Sequence, residues 1–224
     1  MAITGGDGVK KYQILGSLHV SVNGVDINIT ARKMEILLAT LLIQANQVVS
    51  REQLMAEIWG ESTPTRATAC THVYISQLRK LFGKANPIIT RGPGYLLCTA
   101  PGELDLSLFQ QLAAEGRQNL SAGCYREAHA ALAPALALWR GPALVDLRNG
   151  PIVNGFVSWL DEVRLECTEL LIEADLQLGR HRELVSLLYK LIGEYPLHET
   201  FYRQLMIALY QLRSSRFTPR IVVQ

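Results

Sequence analysis

The sequence is poor in cysteine, in long apolar runs and in recognisable catalytic motifs, and each shortage excludes something. Its four cysteines, Cys70, Cys98, Cys124 and Cys167, lie far apart in 224 residues. They have neither the paired spacing of a zinc site nor the density of a disulfide scaffold, and read as ordinary small residues. No run of eighteen apolar residues occurs, so no membrane-spanning helix is expected. Near the N-terminus Lys10 and Lys11 precede an alternating, strand-like segment instead of a secretory pattern. The expectation is a soluble, cytoplasmic protein. His19, His72, His129, His181 and His198 are scattered, and no Gly-rich phosphate loop, metal pair or nucleophile motif is present. Neither an enzyme nor a bound cofactor or metal is expected.

Acidic side chains are missing from one stretch in particular. Between Glu61 and Glu103 there are none, while Arg66, Arg79, Lys80, Lys84 and Arg91 all fall there. A basic window free of carboxylates suits a polyanion, because each neutralised phosphate releases counterions that a nearby carboxylate would retain. A solvated helix face would have the same composition. Net charge is only +2, but residues 1–102 carry ten Lys/Arg against six Asp/Glu, and residues 103–212 nine against fourteen. This asymmetry, with 49% hydrophobic residues to build cores, predicts two domains with different partners.

What is present begins with YQILGSLHVSVNGVDINI at residues 12–29, an apolar/polar alternation around Asn23-Gly24, which signals a hairpin. From Ala31 the period becomes helical, with Met34, Leu37, Leu38, Leu41 and Leu42 on one stripe and Thr30 placed as N-cap. Ser50 and Gln53 form a capping box before a second helix that buries Leu54, Ile58 and Trp59. A third helix starts near Pro64 and runs to about Phe82. If Leu78 centres its buried stripe, Thr71, Ile75, Leu81 and Phe82 accompany it, and Ala69, His72, Val73, Ser76, Arg79 and Lys80 face outward. IITRGPGYLL follows as a hairpin turning at Gly92-Pro93-Gly94 with Arg91 at its tip. Three helices and a basic-tipped hairpin have the logic of a winged helix-turn-helix, whose third helix enters the major groove of duplex DNA.

Residues 103–212 show no strand signal and predict amphipathic helices at roughly 105–121, 125–139, 156–178, 180–193 and 198–211. Gly123-Cys-Tyr-Arg126-Glu127 is echoed 56 residues later by Gly179-Arg-His-Arg182-Glu183, with Leu132 and Leu188 in step, in tetratricopeptide style. Pro134 should kink or interrupt its helix. The expected fold is mostly α with small β-sheets: a winged helix in residues 1–102, then an all-α tetratricopeptide-like domain in residues 103–224.

The pieces LGSLHVSVNG, LLATLLIQANQVVSREQLMAEIWG, ISQLRKLF, TRGPGYLL, LALWRGPALVDL and ELVSLLYKLIGEYPLHETFYRQLMIALY stand in the order found in one family. On these motifs, spanning about residues 12–212, the chain resembles the Streptomyces antibiotic regulatory protein family. The resemblance implies a response-regulator-type winged helix and a bacterial transcriptional activator domain. It also implies an activator of antibiotic or other secondary-metabolite gene clusters that binds direct repeats of double-stranded DNA near the promoter −35 region. Its further implied partners are RNA polymerase, through the sigma subunit, and a second copy of the chain on DNA. Carried onto this sequence, the recognition-helix role falls on Arg66, His72, Val73, Ser76, Gln77, Arg79 and Lys80, and wing contact on Arg91 and Gly92. Thr30, Arg32, Lys33 and Arg51, at helix starts, take backbone contacts. Arg66 and Arg79 are favoured for base reading, since arginine to guanine is the commonest specific contact. Val73 could meet a thymine methyl, although a helical valine is more often core.

Two departures stand out. The tail LRSSRFTPRIVVQ leaves the family's helical pattern, so a shortened second domain is expected, and no aspartate cluster for phosphorylation precedes the winged helix. The competing readings are a helical protein-interaction adaptor, which would show no sequence preference on DNA and a shallow salt dependence, and a repressor using the same DNA-binding residues.

Overall fold

The computed structural model describes residues 9–217, and these divide into two compact units. The first runs to Gln110 and adds Ala137–Glu162; the second comprises Gln111–Leu136 and the chain from Val163 onward. The compact units therefore do not divide at residue 102. The reason is hydrogen bonding: Leu15 and Gly16 carbonyls accept the amides of Arg140 (2.9 Å) and Leu144 (2.8 Å), so the start of residues 137–162 is bound to the loop at residues 14–18.

The first unit opens with strands β1 (Lys10–Gln13), β2 (His19–Val22) and β3 (Val25–Asp26) in an antiparallel sheet of order β1-β2-β3. Asn23 and Gly24 make its turn with φ of 54° and 78°, the conformation that matches strand twist and favours Asn-Gly. Helix α1 (Arg32–Ile43) buries Met34, Leu37, Leu38, Leu41 and Leu42 as expected, but also Ile36, Ala39 and Thr40, so it is enclosed on nearly every side. Its N-cap is Ala31, without a side-chain bond, instead of Thr30; the first helical amides reach the Ala31 carbonyl.

Strand β4 (Val48–Ser50) leads into α2 (Arg51–Trp59) through the expected capping box, Gln53 N to Ser50 Oγ at 3.2 Å and Ser50 N to Gln53 Oε1 at 2.9 Å. Trp59 is half-buried where a buried position was expected. Helix α3 (Ala67–Phe82) buries Ala67, Thr71, Ile75, Leu78 and Phe82. Leu81, expected in that stripe, is 44% exposed, because the stripe's spacing of four, four, three and four turns position 81 outward. Strands β5 (Ile88–Arg91) and β6 (Gly94–Leu97) form the hairpin, and β4 joins them in a sheet of order β4-β6-β5. The turn is the pair Gly92-Pro93, and Gly94 already belongs to β6. A Cβ on Gly94 would drive into the Val49 carbonyl, so close strand approach requires glycine there.

Helix α4 (Asp105–Ser121) begins with Asp105, whose carboxylate accepts the amides of Ile14 (2.9 Å) and Leu15 (3.1 Å). Burial pushes the Asp105 carboxyl up, against the opposing pull of those amides and of Arg140. Helix α6 (Pro151–Gln177) starts five residues earlier than expected. Pro151 opens it, and the buried Glu57 carboxylate of α2 accepts the amides of Ile152 and Val153.

In the second unit the Gly-Arg echo is one physical device used twice. Cys124 N bonds Asn119 O and Gly123 N bonds Leu120 O; 56 residues on, Arg180 N bonds Asp175 O and Gly179 N bonds Leu176 O. Both glycines have left-handed φ, 74° and 78°. These are Schellman turns, ending α4 before α5 (Tyr125–Ala137) and α6 before α7 (His181–Glu194). Leu132 and Leu188 are both fully buried. Gly116 has no room for a Cβ against Leu132, which brings α4 and α5 close. Ile172, Leu176, Leu184, Leu188, Phe201, Leu205 and Ala208 form the core shared by α6, α7 and α8 (Glu199–Phe217). Helix α5 continues through Pro134, contrary to the expected interruption, and ends three residues later; the proline, being exposed, finds room on the solvent side. Helix α8 extends past the expected end at 211 to Phe217, and the remainder of the divergent tail lies outside the described residues.

Candidate nucleic-acid interface

The core stripe of α3 leaves its other side to solvent. His72, Val73, Ser76, Gln77 and Lys80 are exposed there, Val73 at 52%, so this valine is surface and not core. Arg66, the N-cap residue of α3, is exposed, and its side chain has no hydrogen bond or ion pair among the described residues.

One edge of the outward face is tied to the β5–β6 hairpin. His72 and Arg79 stand seven residues apart, close to two turns, and so share that edge. Arg79 donates from Nε to the Ile88 carbonyl (3.2 Å) and from Nη2 to Thr90 Oγ1 (2.8 Å), and its guanidinium lies 5.9 Å from the Tyr95 ring centre. His72 Nδ1 is 2.7 Å from the Tyr95 hydroxyl. Arg51, at the start of α2, donates from Nε to the Pro93 carbonyl (3.1 Å) in the turn. Helices α2 and α3 are thus bound to the β5–β6 hairpin by three side chains of the expected set. Arg91 and Gly92 are exposed at the turn itself.

The residues at the start of α1 are held differently. Thr30 and Arg32 are exposed, and Lys33 Nζ lies 5.2 Å over the Trp59 ring, which stacks on Tyr74 of α3 at 6.3 Å. Sequence reasoning missed Tyr95, Thr90 and this aromatic pair. Tyr95 stands in an apolar strand whose alternation signals core, and it is indeed buried, while its hydroxyl and ring edge meet the α3 edge.

An exposed polar and basic helix face, with exposed Lys80, Lys84, Arg66 and Arg91 around it and no acidic residue from 62 to 102, can donate hydrogen bonds to base edges and neutralise phosphates. Among the described residues no cluster of three His, Cys, Asp or Glu could hold a metal, and no helix is long and apolar enough to cross a membrane.

Comparison with known proteins matches the chain to two families. The family described as "Transcriptional regulatory protein, C terminal" matches residues 24–97, and "Bacterial transcriptional activator domain" matches residues 104–215. The chain is 36% identical over 211 residues to the regulatory protein DnrI of Streptomyces peucetius, covering 90% of this chain and 78% of that protein. It is 32% identical over 212 residues to the transcriptional regulator RedD of Streptomyces coelicolor, covering 92% and 60%. A solved structure of Mycobacterium tuberculosis EmbR, in complex with a low-affinity phosphopeptide, superposes with a TM-score of 0.88 at 30% identity. The superposition covers 94% of this chain and 57% of EmbR. These relatives are regulators of transcription, not enzymes.

Proposed function

We propose that this chain, which belongs to the Streptomyces antibiotic regulatory protein family of transcriptional regulators, is a cytoplasmic, pathway-specific activator of an antibiotic or other secondary-metabolite gene cluster. Two copies bind a direct repeat of duplex DNA near the promoter −35 region, each laying α3 in the major groove. The helical residues that follow the wing engage RNA polymerase, including its sigma subunit. The observation that carries this reading is the outward face of α3, exposed and rich in donors, and tied through His72 and Arg79 to the wing hairpin. Groups that must touch two features of one duplex are thereby preset in position, which lowers the ordering cost of binding.

Selection from a randomised duplex library, followed by titration at several salt concentrations, tests the proposal. The expected result is a tandem repeat in register, with log affinity falling steeply against log salt. No enrichment, with only weak binding that disappears at physiological salt, overturns it in favour of a protein-interaction adaptor. Placing the selected repeat at different distances from a promoter in an in vitro transcription assay then separates an activator from a repressor.

A further inference from the structure

We propose that His72 reads the N7 edge of a purine with its Nε2–H, and that the buried hydroxyl of Tyr95 selects the tautomer that makes this donor available. The inference deepens the DNA-reading role proposed above and rests on it. Tyr95 is 3% exposed, and its hydroxyl has one partner among the described residues, His72 Nδ1 at 2.7 Å. A buried hydroxyl proton left without an acceptor is costly, so the hydroxyl donates and Nδ1 accepts. In a neutral imidazole the proton then sits on Nε2. The Arg79 guanidinium reinforces this arrangement, since it lies over the Tyr95 ring and offers only donors.

The consequence is a single outward donor on the exposed face of α3, held by β6 of the hairpin whose partner strand β5 Arg79 grips from two turns further along. In the major groove a lone donor matches acceptors. Guanine presents N7 and O6, adenine N7 and thymine O4, whereas cytosine presents only an amino donor. His72 therefore disfavours cytosine at one position of the half-site, with purine N7 as its proposed acceptor, and Tyr95 acts as a positioning residue that never touches DNA.

The full-length chain and its His72→Ala and Tyr95→Phe variants are each put through duplex selection. The position whose preference relaxes in His72→Ala is rebuilt with the 7-deaza purine, which removes N7 and keeps base pairing. The expected loss for the wild type is roughly fivefold, the scale of one neutral hydrogen bond. His72→Ala should be insensitive to the same change, and Tyr95→Phe should show a reduced preference at the same position. Nitrogen NMR of the histidine-labelled wild type, free of DNA, should show a pyridine-type Nδ1 and a pyrrole-type Nε2. A specific repeat bound equally well by His72→Ala, with no cost from the 7-deaza base, overturns the inference and leaves DNA reading intact. The opposite tautomer also overturns it. No enriched repeat for the wild type overturns the DNA-reading role and this inference together.

Discussion

The Val153 amide, at the start of α6, donates to the carboxylate of Glu57 in α2 at 3.2 Å. Ile152 donates to the same carboxylate, and Asn149 Nδ2 returns a bond to the Glu57 carbonyl at 2.8 Å. A fully buried carboxylate would be costly alone, but here it meets unpaired amides at the positive end of a helix of 27 residues. Helix α2 thus supplies the cap that starts α6.

Replacing Glu57 by Ala should leave the Ile152 and Val153 amides without their acceptor and cost about 2 kcal/mol, in the range for charge-assisted hydrogen bonds. Glu57→Gln keeps an acceptor oxygen and should cost less. Urea unfolding followed by circular dichroism measures both. A Glu57→Ala protein as stable as the parent would show that the cap does not hold α6.

That cap explains what could be read from sequence and what could not. Contacts between near neighbours were legible: Asn23-Gly24 set the first hairpin, Ser50 and Gln53 the capping box, and Gly123 and Gly179 the paired Schellman turns. In each, the residues that decide the conformation lie within six positions of each other. The start of α6 was not legible because its N-terminal acceptor lies some 95 residues away. Strand β4 was missed for a similar reason: three residues gain strand geometry only by pairing with Gly94, Tyr95 and Leu96. At the candidate interface, the outward set on α3 followed from helical period alone. The internal bonds of Arg79 and His72 depend on where the hairpin docks, which no local pattern encodes.

Those bonds change the roles expected of the two favoured arginines. Arg79 spends two donors on Ile88 and Thr90, whereas Arg66 is exposed and uncommitted. Arg79→Ala should therefore weaken binding about equally on matched and mismatched duplexes by loosening the wing. Arg66→Ala should either relax one base position at a cost of about 1–3 kcal/mol or lower the salt slope by about one. Competition binding on a panel of single-base variants distinguishes these patterns. Relaxed selectivity at one position in Arg79→Ala would instead make it a base reader.

In the second unit, Arg117 of α4 holds Glu166 of α6 bidentately, Nε to Oε1 at 2.6 Å and Nη2 to Oε2 at 2.8 Å. The Arg117 hydrogen bond holds the Glu166 carboxyl below its usual range, outweighing the opposite effect of burial. A depressed folded value means the stabilisation is fully present above the unfolded value, near 4.3, and is lost as pH falls through the folded one. Both side chains are over a third exposed, so the pair should contribute about 1 kcal/mol or less. Arg117→Met should reduce stability by a constant amount above about pH 5, and the gap should close on acidification. Thermal midpoints across that range test it; a gap that widens with acid contradicts the assignment.

Gly94 and Gly92 sit two residues apart at the wing and should respond oppositely to alanine. At Gly94 a Cβ meets the backbone of Val49 and Ser50, which cannot move without parting β4 from β6 and disturbing the cap of α2. Gly94→Ala should cost about 1–3 kcal/mol, the scale of overpacking, and should lower DNA affinity as the wing shifts. A Cβ at Gly92 meets nothing within 4 Å, so Gly92→Ala should change stability by less than about 0.5 kcal/mol. Any affinity lost in Gly92→Ala then reports a close approach of the turn to the duplex. Equal melting of the two variants would show that β4 does not constrain the wing, and the preset geometry proposed for the interface would lose its physical basis.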